Sequence, residues 1–307
     1  MERILNSNQP VAWAFVPFTG CGLFLISVIQ GTVDRDSWPA FLALLFSAWL
    51  MHRMHADSGM RTRPGSIPSW IWVLMATPLL GMAPDEGWWS FPLFLMGMKS
   101  LLGLRDVEQA PGTMLSTGAW WSSGLMVCPD MWCFVVAMMC AAVLVRRPTS
   151  EEWVSAFIGL VSPFMVLVAL YWLWHGTWPS SWTWTEQGFT GMPSGAAWLL
   201  VPTGFGWFVR QQSLITATAQ QRYARQWTQW AGILGIALVF AAQTVHWVAG
   251  HGGWSSAMTA APMSLAFMAA WSWPWLMPPG FKWTKVAPFV FLLSSLGLLM
   301  LKGWSLL

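Results

Sequence analysis

Charge is scarce in this chain: Asp, Glu, Lys and Arg make up 9% of its 307 residues, against 56% hydrophobic residues and a mean hydropathy of +0.51. A soluble domain carries roughly 25% charged residues, so a water-soluble fold of this length would have too little polar surface to cover itself. Basic clusters are also missing. The net charge is only +3 and the Lys and Arg residues sit in short loops between apolar runs, which excludes a nucleic-acid-binding groove. Four cysteines are too few for a disulfide scaffold. Cys21 and Cys140 fall inside apolar runs, whereas Cys128 and Cys133 flank a turn at Pro129 and Asp130. Four free apolar thiols are the simplest expectation, and a Cys128–Cys133 pair is the alternative if that turn faces an oxidising compartment. Asp and Glu are essentially absent from the apolar runs, and Lys99 is the one cation that reaches far into one. Ion-coupled carriers need such groups near mid-membrane, so a transporter is the least supported class.

What is abundant is apolar length and tryptophan, 27 Trp against two Tyr. About 20 apolar residues cross a bilayer as a helix, because every backbone group there must be bonded internally. Eleven candidate runs appear: 11–30, 38–52, 70–83, 88–104, 114–127, 131–145, 153–174, 196–209, 228–249, 257–277 and 286–306. The predicted fold is an all-α, polytopic transmembrane helical bundle of about eleven spans, with nine as the lower bound, forming one integral membrane domain over residues 1–307. Runs 70–83 and 196–209 reach only about 21 Å at helical rise, so the pair 70–104 or 114–145 is open to reading as a half-membrane hairpin. No small-residue cleavage site precedes Val33, and run 11–30 is read as a retained first span.

Thirteen of the fifteen Lys and Arg residues fall in or beside alternate loops, and only Arg35 and Lys302 fall on the other side. Because cytoplasmic loops retain positive charge, the N-terminus is expected in the cytoplasm and the C-terminus outside, with the chain in the bacterial inner membrane. Demoting either hairpin leaves this alternation unchanged. Asp34, Asp36, Asp85, Glu86, Asp130 and Glu186 then face outward beside many of the tryptophans, Trp88 among them. An aromatic belt at the membrane interface accounts for most such residues.

Two outward segments carry the candidate chemistry. Asp34-Arg35-Asp36 closes the first run; two carboxylates beside a guanidinium can supply a general base or a cation contact and a phosphate partner, although a solvated turn has the same composition. The loop 174–195 has no Lys or Arg and interleaves Trp178, Trp182 and Trp184 with Glu186, a pattern that suits a sugar or lipid headgroup and equally a lid lying on the bilayer. The five histidines divide between the two sides, at most three sharing one, and no metal site is expected. No cofactor can be read from these residues.

The stretch Arg146-Arg147-Pro148-Thr149-Ser150-Glu151-Glu152-Trp153, followed by SAFIGLVSPFMVLVALYWLW over 155–174, resembles an uncharacterised family of polytopic inner-membrane proteins from Bacteroidota, which implies a fold and location but no activity. An N-terminus inside and an acidic pair just after the first span look like the integral-membrane glycosyltransferases that use polyprenyl-phosphate sugar donors. That resemblance implies a catalytic base or metal contact at Asp34 or Asp36, on a first outward loop far shorter than those enzymes carry. The resulting expectation is a protein handling lipid-linked or envelope glycan, with Asp34 and Asp36 catalytic, and with Arg35, Trp178, Trp182, Trp184 and Glu186 binding substrate. Its partners are membrane lipid, a lipid-linked sugar and other membrane proteins. A non-enzymatic subunit or scaffold of an envelope complex is the alternative.

Overall fold

The computed structural model describes residues 10–57, 66–80, 85–103, 110–145, 148–177 and 219–250, together with isolated helical positions between 266 and 300. Among these residues the structure is helical without a strand. Eight α-helices follow the apolar runs: α1 Pro10–Ile29, α2 Trp38–Asp57, α3 Ile67–Ala76, α4 Ser90–Gly103, α5 Pro111–Val127, α6 Trp132–Val145, α7 Ser150–His175 and α8 Ala219–Val248. Runs 196–209, 257–277 and 286–306 lie outside the described residues, except for those isolated positions. Two helices, Ser150–His175 and the Trp230–Val248 part of α8, are long and apolar enough to cross a membrane.

The first four helices form a dense block. α3 is only ten residues long and every one of them is buried, so it is enclosed by its neighbours and does not form a wall of the molecule. It runs between α1 and α2: Ser69 donates to the Ala48 carbonyl at 2.6 Å, the Trp72 indole to the Leu44 carbonyl at 3.3 Å, and the Trp70 indole to the Thr19 hydroxyl at 3.3 Å. Gly20 permits the approach of α1, since a Cβ there would come within 2.9 Å of Val73. Trp72, Trp88, Phe91 and Phe94 continue the core into α4 through tilted and edge-on ring contacts.

Glycine sets the next two interfaces. Gly97 faces the Trp121 ring and Gly124 faces the Phe94 ring, each too closely to admit a Cβ, and the Trp121 indole donates to the Phe94 carbonyl at 3.2 Å. α4 and α5 thereby exchange an aromatic ring for a glycine in both directions. α5 and α7 run parallel and touch backbone to backbone, Gly118 against Ala156 and Gly159 against the Leu115 carbonyl. This is the small-residue packing by which helices associate where no hydrophobic force separates lipid from protein. α8 packs on α6, with the buried Trp227 indole donating to the Met138 carbonyl at 3.1 Å.

The segment Thr149–Trp153 has a structural task. Thr149 and Glu152 form a reciprocal capping box at the start of α7. The Glu152 carboxylate accepts from Thr149 N–H at 2.9 Å and from Ala110 N–H, just before α5, at 3.1 Å. One buried carboxylate thus ties the starts of two parallel helices, where the helix dipoles favour negative charge.

Candidate functional site

α1 ends at Ile29 in a Schellman motif: Gly31 N–H bonds to the Val28 carbonyl and Thr32 N–H to the Ser27 carbonyl, both at 3.0 Å. Gly31 takes φ +67° to close it, a conformation glycine adopts without a Cβ penalty. The chain then turns into a short 3-10 segment, Arg35–Ser37, held by Ser37 N–H on the Asp34 carbonyl at 3.2 Å. Asp34 occupies the cap position of that segment, yet its side chain makes no capping hydrogen bond. Asp34, Arg35 and Asp36 are all exposed while Ser37 is buried, so the turn is anchored and its charged groups face out.

A cleft of about 480 Å³ opens here, walled by Val28, Gly31 and Val33 on one side and by Asp34, Arg35, Asp36 and Asp85 around its polar rim. Asp85 starts a second 3-10 turn, Asp85–Trp89, which packs on α2. That packing carries the Asp85 turn to the DRD turn. Sequence reasoning kept the two tips apart, because nothing in their spacing shows that the connections are neighbours; their shared predicted side was the only available signal. Three carboxyl groups and one guanidinium thus line one cleft, groups able to take a proton from a hydroxyl or to orient a polyhydroxylated ligand. Among the described residues, no three His, Cys, Asp or Glu side chains converge closely enough to hold a metal ion. Trp178, Trp182, Trp184 and Glu186, the other half of the expected site, lie outside the described residues.

No family model, curated protein or solved structure matches the chain. The site therefore rests on its own geometry.

The tryptophans beside this end divide into two populations. Trp38, Trp89, Trp132, Trp172, Trp174 and Trp247 are exposed, as an interfacial belt requires. Trp88 is not part of any belt: it is fully buried against Trp72 and Phe91, because the Asp85–Trp89 turn folds inward over α2. Cys128, beneath that turn, is 3.8 Å from where a Gly87 Cβ would lie. Cys128 and Cys133 are buried and both are free thiols. Burial, and then the charge of Asp130, push the Cys128 thiol from its ordinary value of 9.0 up to about 12. At the opposite end, His52 stacks on Trp13 with ring centroids 5.2 Å apart, and the Arg53 guanidinium lies 5.0 Å over the Trp49 ring. Lys99 is exposed near the end of α4.

Proposed function

We propose that this chain is a multi-pass protein of the bacterial inner membrane, N-terminus inside and C-terminus outside, whose outward acidic cleft acts on a lipid-linked or envelope glycan in the manner of a polyprenyl-phosphate-dependent glycosyltransferase. The observation that carries this reading is the union of Asp34, Arg35, Asp36 and Asp85 around one cleft.

In the proposed reaction Asp34 or Asp36 accepts the proton of an acceptor hydroxyl. The freed oxygen electron pair forms a bond to the anomeric carbon of the donor sugar. The bond from that carbon to the phosphate oxygen breaks, and polyprenyl phosphate leaves with those electrons, its charge met by Arg35. Trp178, Trp182, Trp184 and Glu186 complete the sugar surface in this proposal.

The test is the double variant Asp34→Asn with Asp36→Asn, compared with the wild type for envelope glycan transfer at equal level and insertion. Loss of general-base catalysis is expected to slow transfer by about 10²–10⁴-fold, and Asp85→Asn to reduce it less. Unchanged transfer removes the proposal. The breadth of apolar surface left open on α7 and α8 favours a second reading, a non-enzymatic subunit of an envelope assembly. That reading expects tolerance of the carboxylate changes and stable co-purification with other membrane proteins.

A further inference from the structure

A second cavity of about 470 Å³ lies where α4, α5 and α7 meet, lined by Leu93, Met126, Val127, Pro163, Val166 and Leu167 together with Ser123 and Ser162. Neither serine presents a free hydroxyl proton to it. Ser123 donates to the Ala119 carbonyl at 2.8 Å. Ser162 donates to the Gly159 carbonyl at 3.1 Å, the acceptor that Pro163, lacking an N–H, leaves without its helical partner. The two serine hydroxyls and the Gly159 carbonyl are thus satisfied within their own helices, and the groove offers mainly hydrocarbon to whatever enters.

Its height and its opening point to one occupant. α7 has 26 residues, about 39 Å at helical rise, and Pro163 to Leu167 lie just beyond its midpoint. For a helix that crosses a bilayer, that level is within the hydrocarbon layer. Val166 and Leu167 also belong to the open apolar flank of α7 that includes Met165 and Leu170, so the groove is continuous with the surface lipid would cover. At its upper edge, Val127 leads into Cys128, which sits against Gly87 in the same turn that brings Asp85 to the acidic cleft.

We propose that this groove holds one hydrocarbon chain of a membrane lipid, with the head of that lipid emerging beside the Asp34–Asp85 cleft. The proposal rests on the glycan-handling reading only for the identity of the head: the tail would be that of the lipid-linked sugar. A groove open to the bilayer lets such a lipid enter sideways without leaving the hydrocarbon layer.

The test uses the full chain in vesicles of phosphatidylethanolamine and phosphatidylglycerol doped with a phospholipid that carries a diazirine in one acyl chain. After illumination, peptide mapping is expected to find label at Leu93, Met126 and Leu167 several-fold above that at Phe157 and Leu173, which report ordinary surrounding lipid. Val166→Trp fills the groove from its exposed edge and should lower the groove signal several-fold while leaving Phe157 and Leu173 unchanged. Ser162→Phe fills it from another lining position and gives a second reading if the first variant folds poorly. Uniform labelling, or groove labelling indifferent to both variants, overturns the proposal. So does cross-linking in cells from a photoactivatable residue at Leu167 to a protein instead of to lipid. Groove labelling that persists while Asp34→Asn with Asp36→Asn leaves transfer intact sinks the glycan reading and leaves the tail site standing. Transfer lost in that variant without any groove labelling does the reverse.

Discussion

α3 and α7 are both apolar helices rich in branched and aromatic side chains, yet one is wholly enclosed and the other is mostly open. In α3 all ten residues are buried, and its tryptophans spend their indole N–H groups on Thr19 and the Leu44 carbonyl. In α7 only Glu152, Ala156 and Gly159 are buried, while Phe157 is 67% and Trp174 87% exposed. A water-facing helix of that composition would be a large exposed apolar patch, which soluble monomers rarely tolerate. The contrast teaches that apolar residues are used in two ways in this chain: sealed inside the helix block in α3 and left open along most of α7. The switch lies at the Gly118–Gly159 contact, where the narrow buried stripe of α7 meets α5.

The comparison is broken most severely at that contact. Gly159→Leu puts a side chain where the Leu115 carbonyl already sits, and we expect loss of the folded protein in detergent, read as aggregation by size-exclusion chromatography. Retention of a wild-type melting profile would show that α5 and α7 are not in backbone contact. Next in size, Trp72→Ala should cost about 3–5 kcal/mol in reversible unfolding, because the ring is fully buried and the Leu44 carbonyl loses its donor. Trp174→Ala, on the open side, should stay within about 0.5 kcal/mol. Equal costs for the two tryptophans would erase the distinction between the sealed core and the open face.

Met165→Asp sharpens the assignment of α7's flank. At the middle of a membrane-crossing helix an Asp costs about 2.5–3.5 kcal/mol of apparent insertion free energy, to be measured by the glycosylation pattern of an engineered reporter in microsomes. Met165 is exposed; an unchanged inserted fraction would mean that this flank faces water or protein. The smallest effect concerns Cys128. Its native pKa of about 12 lies above the ordinary 9.0, so the fold favours the protonated thiol. The associated stability is fully present below pH 9 and is lost as pH rises from 9 towards 12. Maleimide should accordingly modify Cys128 far more slowly in the native protein than after denaturation, by mass spectrometry at mildly alkaline pH. Equal rates would mean that the thiol is open to solvent.

Much of the helix plan was legible beforehand, because apolar runs long enough to fold as helices are bounded by turn residues and short polar connections. The runs 11–30, 38–52, 114–127, 131–145, 153–174 and 228–249 all fall on helices, although α2 continues to Asp57 and α8 begins at Ala219, nine residues before its run. Run 70–83 was visibly short, but the burial of Trp70 and Trp72 was not legible, because it depends on α1 and α2, whose Thr19 and Leu44 take their indole N–H groups. Trp88 differs from Trp89 by one position, and the inward fold of the 3-10 turn buries one and exposes the other. At the site, the DRD turn stood out by its charge in an otherwise uncharged stretch. Asp85 did not stand out as its neighbour, since a contact between residues about fifty positions apart depends on how α2 packs beneath both turns.

The amino-acid order alone determines which apolar runs form helices among the described residues, that cations and acidic turns occupy alternate connections between those runs, and where turn residues interrupt them. Those properties follow from local chemistry: backbone hydrogen bonding, charge and the special torsions of Gly and Pro. Tertiary packing alone decided which apolar faces are sealed, which glycines carry backbone contact, and that Asp34, Arg35, Asp36 and Asp85 surround one cleft. Each of these depends on the steric fit of distant segments, which no single stretch of sequence encodes.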